Sequence, residues 1–230
     1  MNYDNTSIDT GSTPASQILA FTQSEGTKFE VFKTQFIWSK VTLNRGLFPT
    51  AGQSQSFALQ VAVPGSSLTY SKLTYRHKYF KPIFDGRFVL GFRGEIGALE
   101  PYGDTEVAPF FEHYYAGGIS SVRGFKQNTL GPRAIPSQFY LDNEGNPITG
   151  DDGNPILNPY SYYRDDRSIG GAYLIEGGFD FIFKLPFIED QRSMRSSFFV
   201  DIGNVFSKDC GIDQSNICLL YTSDAADDFV

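Results

Sequence analysis

Alternation with a period of two, sustained beyond the length of an ordinary strand, constrains this chain more than any other feature. In "RFVLGFRGEIGAL" (87–99), Phe88, Leu90, Phe92, Ile96 and Ala98 fall on one face, and Val89, Gly91, Arg93, Glu95 and Gly97 on the other. Successive side chains of a strand point to opposite faces, so this reads as a two-sided strand with one apolar face. "SFALQVAVPG" sets Phe57, Leu59, Val61 and Val63 against Ala58, Gln60 and Ala62 before Pro64-Gly65 turns the chain. "LTYSKLTYRHKYF" sets Leu73, Tyr75, His77 and Tyr79 against Lys72, Thr74, Arg76 and Lys78. "AYLIEGGFDFIFKLPF" sets Phe179, Phe181 and Phe183 against Glu176, Gly178, Asp180 and Lys184. "RSSFFVDIGNVF" turns Phe198, Val200 and Ile202 outward if Asp201 points inward. With the less regular "KFEVFKTQFIWSKVTLNRG", six strands are predicted, at 27–44, 55–63, 67–81, 86–99, 172–185 and 194–206. "SQILAFTQSEG", ahead of the first, has the spacing of a short helix that caps a loop.

Several of these strands exceed the ~5–6 residues usual in soluble sheets and reach the ~9–11 that cross a bilayer at a tilt. "RGLFPTAG", "KPIFDG" and "LPFIEDQR" are compact Pro- or Gly-bearing connections, whereas the segment from about 100 to 171 is very long. Short turns at one end and long loops at the other predict an all-β fold, an antiparallel transmembrane β-barrel of the outer-membrane kind. No run approaches the ~18 apolar residues of a membrane-spanning helix. The opening "MNYDNTSIDTGSTPAS" lacks the basic and apolar regions of a signal peptide.

Other function classes find little support. The net charge is -7 with no basic block, which disfavours a nucleic-acid partner. The two histidines, His77 and His113, lie far apart with no nucleophile nearby, and His77 reads as a strand-face residue. No nucleophile elbow, phosphate-binding loop or metal-ligand spacing occurs, so neither catalytic residue, cofactor nor metal is expected. Asp151-Asp152-Gly153-Asn154 hints at a calcium loop, but the rest of that pattern is missing. It belongs to a near-repeat, "NEGNPI" (143–148) and "DDGNPI" (151–156), which reads as exposed, turn-rich loop. Cys210 and Cys218 form neither a disulfide framework nor a metal pattern; a local disulfide and two separate thiols both stand.

Within the long loop, "AGGISSVRGFKQNTLGPRA" (116–134) has too much Gly and Pro for a helix or a central strand. Yet Ile119, Val122, Phe125 and Leu130 are too apolar for an idle surface loop. Arg123 sits at its centre, and Asp180 and Asp201 interrupt apolar strands on the faces away from the phenylalanines. Carboxylates on a lipid face are costly, so both should face a lumen. A planar guanidinium can engage two carboxylates at once. If the loop folds back, Arg123 could pin it through both; on spacing alone, three separately hydrated charges are the simpler reading.

The stretch "FFEHYYAGGISSVRGFKQNTLGPRA" resembles the loop signature of the BamA family of outer-membrane β-barrel assembly factors. Val122-Arg123-Gly124-Phe125 lies within a longer match, from Pro109-Phe110-Phe111-Glu112 and Tyr114-Tyr115-Ala116-Gly117-Gly118 to Asn128-Thr129 and Gly131-Pro132. "TLNRGLFPTAG" (42–52) resembles a strand end and periplasmic turn of that family, and "SFFVDIGNVF" (197–206) a late strand; the match covers most of residues 16 to 217. The resemblance implies that the loop is extracellular and folds into the lumen of a barrel of about 16 strands in the intact family. It implies that Arg123 anchors the loop on Asp180 and Asp201, the first of these being commonly Glu in the family. The implied function is nucleotide-free folding and insertion of β-barrel proteins into the outer membrane of a Gram-negative bacterium. The implied partners are unfolded barrel substrates, outer-membrane lipids, accessory lipoproteins and periplasmic chaperones, the last two through periplasmic POTRA domains. Residues 1–217 then form part of a bacterial-surface-antigen-type barrel, without the POTRA domains, the early strands or the last strands. "CLLYTSDAADDFV" (218–230) lacks strand alternation and reads as a tail foreign to the domain. Related translocation-assembly or two-partner secretion transporters share the Arg-Gly-Phe loop logic. A passive porin and, more remotely, a soluble carbohydrate-binding β-sandwich are the readings from other classes.

Overall fold

The computed structural model describes residues 2–11, 14–142, 145–159, 168–183 and 196–207. Seven strands form one antiparallel sheet in chain order: β1 (Asn2–Ser7), β2 (Lys28–Val41), β3 (Gly52–Ala62), β4 (Tyr70–Ile83), β5 (Phe88–Pro101), β6 (Tyr173–Phe183) and β7 (Ser196–Phe206). A helix, α1 (Ser16–Glu25), precedes β2. The six predicted strands are present with ends shifted by a few residues. β1 was not predicted: "NYDNTS" shows no apolar alternation, and it becomes a strand by pairing with β2, Asn2 opposite Lys33 through Ser7 opposite Lys28. Its backbone bonds come from the neighbour rather than from its own side chains.

The sheet is an up-and-down meander whose strands β2 to β7 are 11 to 14 residues long. At one end, residues 42–51 link β2 to β3 and residues 84–87 link β4 to β5. The third connection of that end, "LPFIEDQR", lies outside the described residues. At the other end lie the α1 segment and the long loop, residues 102–172, but the β3–β4 link of residues 63–69 is short. The contrast between the two ends is therefore carried by two of three connections.

β5, β6, β7 and the first half of β2 divide their faces as the alternation requires, whereas β3 is half-buried on both faces and the second half of β2 is exposed on both. Phe36 and Trp38 of β2, Phe92 and Ile96 of β5, Ile175 and Phe179 of β6, and Phe198, Val200 and Ile202 of β7 project outward and exposed. A water-soluble sheet buries such a face; in a barrel it meets lipid. Near the turn end of this face, Phe88 stacks on Phe181 at 5.2 Å and Phe183 on Phe198 at 5.3 Å.

The core lies on the opposite face, and its second layer is the loop itself. Phe29, Val31, Tyr70, Leu99, Leu174 and Val205 of the wall pack with Ala108, Tyr114, Ala116, Val122 and Leu130 of the loop. Phe21 of α1 joins them against Phe29, Phe110 and Phe111. One face of a sheet needs a covering layer, and here a loop and one short helix supply it. The helix is tied to the loop by Gln17, which donates to the Arg133 carbonyl and accepts from the Ile135 amide, and by Glu25, which accepts from the Glu106 amide.

The near-repeat adopts the same turn twice. Asp142 N–H donates to Asn146 C=O and Gly145 N–H to Asp142 C=O, just as Gly150 N–H donates to Asn154 C=O and Gly153 N–H to Gly150 C=O. Tyr140, Ile148 and Ile156 then bond in a ring: Ile148 N–H to Tyr140 C=O, Ile156 N–H to Ile148 C=O, and Tyr140 N–H to Ile156 C=O. The repeat is thus a small three-sided unit, more ordered than an open loop.

Candidate functional site

The loop enters against the inner wall through tight turns that need glycine. Gly117 and Gly118 take φ of 103° and 102°, and a Cβ on Gly117 would lie 2.6 Å from the Lys126 carbonyl oxygen. L-residues with side chains are strained in that region. The turn is closed by Ser121 Oγ, which accepts from the Gly117 amide and donates to the Glu176 carboxylate on the wall. Val122 is buried by this turn and Phe125 packs at the edge of the core. Ile119 goes the other way and is 89% exposed, so only part of the loop's apolar character is explained by burial.

Arg123 follows the turn and reaches across to β6 and β7. Its Nε and Nη2 donate to Asp201 Oδ2 and Oδ1 at 2.6 and 2.7 Å, and its backbone amide donates to Asp201 Oδ2 at 2.9 Å. Its Nη1 donates to Asp180 Oδ1 at 2.9 Å. The guanidinium carbon sits 3.7 Å from the centroid of Phe199, inside cation–π range. The Asp201 side chain is 2% exposed. Hydrogen bonding to Asp201, against the opposing effect of burial and with help from Asp180, raises the guanidinium above its ordinary value. Of the residues singled out in the sequence, Arg123, Asp180 and Asp201 meet in one cluster; Val122 and Phe125 flank it, and Gly124 turns the chain at φ 96°.

Two members of this cluster carry no sequence signal of their own. Arg93 on β5 places Nη2 2.7 Å from Asp201 Oδ2 and donates from Nη1 to the Ser120 carbonyl. Gly178 stands between them, opposite Arg93 on one side and Asp201 on the other. A Cβ there would lie 2.4 Å from Arg93 Nε and 2.5 Å from Asp201 Oδ1. Gly97 plays the same part for the loop base: the Tyr114 ring lies over it, 2.6 Å from where a Cβ would be. Tyr114 donates its hydroxyl proton to the Leu73 carbonyl at 2.7 Å, and its backbone pairs with Gly171. Such glycines become legible only when the opposing side chains are known.

His77 Nε2 lies 3.3 Å from Gln53 Oε1 beside Tyr75 and Phe92, and His113 Nδ1 lies 3.0 Å from the Ile169 carbonyl. Asp151 and Asp152 sit in the second turn of the repeat, and no metal-binding group of side chains occurs among the described residues. Cys210, Cys218 and the 218–230 stretch lie outside the described residues. No helix of the described residues is long and apolar enough to cross a membrane.

Comparison with known proteins gives the same architecture a lineage. The Omp85 superfamily domain matches residues 1–220. The chain is 30% identical over 176 residues to the outer membrane protein assembly factor BamA of Neisseria meningitidis serogroup B, covering 76% of this chain and 19% of that protein. Its fold superposes on the crystal structure of BamA from Haemophilus ducreyi lacking POTRA domains 1–3 with a TM-score of 0.68 and 25% identity, over 84% of this chain and 35% of that one. The chain thus spans only a minor part of the length of either relative. The long strands, the lipid-suited outer face and the inward loop are those of one lineage: the chain belongs to the Omp85 superfamily, and its sheet is part of a BamA-like β-barrel of the outer membrane.

Proposed function

We propose that this segment belongs to an outer-membrane protein assembly factor that folds and inserts β-barrel proteins, and that residues 102–172 act as an internal loop anchored by Arg123. The observation that carries the reading is the Arg123 fork closed on Asp180 and Asp201 in an Omp85 chain. The substrates are unfolded outer-membrane β-barrels, and the work needs no nucleotide. A nascent strand that satisfies its backbone hydrogen bonds and buries an apolar belt in lipid supplies the free energy. Accessory lipoproteins and periplasmic chaperones are partners through periplasmic domains. A passive porin is less well supported, because the inner wall is packed with buried loop residues rather than left as a lined channel.

The test is Arg123→Glu in the full-length protein. It sets a third carboxylate against two and leaves Asp201 with Arg93 alone, at a cost of about 3–5 kcal/mol. Both assembly of a reporter barrel and the heat-modifiable gel mobility of the protein should fall. Asp201→Arg in that background restores little, because Arg93 faces the same position. If Arg123→Glu leaves mobility and assembly unchanged, the anchoring role fails.

A further inference from the structure

We infer that Glu112 is a second positioning residue, which fixes the base of the loop through a clamp of reversed polarity. The inference rests on the loop being an anchored insert, as proposed above, but uses none of the residues of the Arg123 cluster. Glu112 ends the one-turn helix Phe110–Glu112 and faces β2 and β4. Three strand residues converge on it. Lys33 of β2 donates to Oε1 at 2.5 Å, and Tyr70 of β4 donates to the same oxygen at 3.0 Å. Lys72 of β4 reaches Oε2 at 3.2 Å and the Glu112 carbonyl at 2.6 Å. Lys33 is also 2.6 Å from Asp4, so the clamp ties β1, β2 and β4 to the loop. Lys72 lies 4.9 Å from the centroid of the Tyr114 ring, two residues further along the loop.

The two clamps are complementary in sign. At its apex the loop presents a cation to two wall carboxylates; at its base it presents a carboxylate to two wall ammonium groups. Lysines on the inner face of a membrane barrel need a counter-charge once the loop displaces water from them. Asp4 supplies part of it to Lys33, and Glu112 supplies the carboxylate that Lys33 and Lys72 share. Paired charges of opposite polarity at two points suppress a shifted or reversed docking, since like charges would then meet.

Thiol labelling of the folded, full-length protein tests this, with Cys210 and Cys218 replaced by serine and only the heat-modifiable, folded band scored. Ala116→Cys reports on the loop base and Val122→Cys on its apex; both native residues are buried. Glu112→Gln should raise maleimide labelling at position 116 about tenfold, in proportion to the open population, with little change at 122. Glu112→Lys should raise it further, and Glu112→Lys combined with Lys72→Glu should restore protection only in part, because the exchange renews the contact with position 72 but leaves two ammonium groups facing each other at Lys33. Unchanged labelling at 116 in both single variants overturns the inference. So does labelling that rises equally at 116 and 122, which would make the contact part of a single cooperative unit. Failure of the Arg123 reading is separable: it shows as unchanged labelling at 122 in Arg123→Glu, whatever Glu112 does.

Discussion

Gly178→Ala is the sharpest way to ask whether the charge cluster under the loop depends on wall shape as well as wall charge. Gly178 is in extended backbone, so alanine costs nothing in φ. Its methyl would sit 2.4 Å from Arg93 Nε and 2.5 Å from Asp201 Oδ1, where ordinary contact begins at 3.4 Å. One or both side chains must retreat by about 1 Å. That stretches the Asp201 bonds, now 2.6, 2.7 and 2.9 Å, to about 3.5 Å or more, beyond useful hydrogen bonding. Overpacking plus loosened charged bonds costs about 2–3 kcal/mol, which multiplies the released-loop population by about 30 to 150. Thiol labelling at Val122→Cys in the folded full-length protein reads this directly. Gly177→Ala is the control: its methyl would point to the outer face and meet nothing nearer than 3.6 Å, so it should stay within about 0.5 kcal/mol of the parent. Equal labelling of the two alanine variants would refute the steric argument.

Two further outcomes follow from the same geometry. Phe179 faces outward midway along β6, opposite Phe92 and Val200; Phe179→Arg should destabilise the protein in lipid vesicles by about 2–4 kcal/mol, while Phe179→Leu should not, as read by the temperature at which the folded gel form is lost. The Glu112 carboxyl should make loop docking acid-sensitive. Burial, the largest influence, disfavours its charge, but Lys33, Lys72 and Tyr70 together hold it below its ordinary value of 4.5. A lowered folded value gives stability that is complete above about pH 4.5 and lost as the pH falls through the folded value. Hydrogen-exchange protection of the Tyr114 and Ala116 amides, corrected for intrinsic rate, should therefore drop in strong acid and lose that step in Glu112→Gln.

Most of the wall was legible because alternation is a local property. Phe88 to Ala98 and Phe179 to Phe183 declare their faces within a dozen residues, and the meander adds only nearest-neighbour pairing. β1 was illegible because "NYDNTS" is polar on both faces, and its strand character comes from β2 alone. Ile119 was misread because apolar residue type says nothing of which way a turn points; Ser121 and Val122 point inward two and three residues later. The acidic pair was visible as an anomaly, since Asp180 and Asp201 interrupt apolar strands. Its partner Arg123 lies 57 and 78 residues away, and spacing could not choose it over separate hydration. Glu112 left a fainter trace in Lys72, a cation on the inward face of β4, whereas Lys33 has a second partner in Asp4 of β1, a strand that was itself illegible.

By itself, the order of residues determined that the chain makes long two-sided strands, which face of each is apolar, and that one long loop carries buried-type residues. These follow from the period of the backbone and the cost of placing charge in lipid, which act residue by residue. Only the tertiary structure decided that the loop forms the second layer of the core, that Arg123 and Glu112 each meet wall charges of opposite sign, and that Gly97 makes room for Tyr114 of the loop and Gly178 for Arg93 and Asp201 of the wall. Those depend on side chains separated by dozens of residues meeting within 3 Å, a distance that no local pattern encodes.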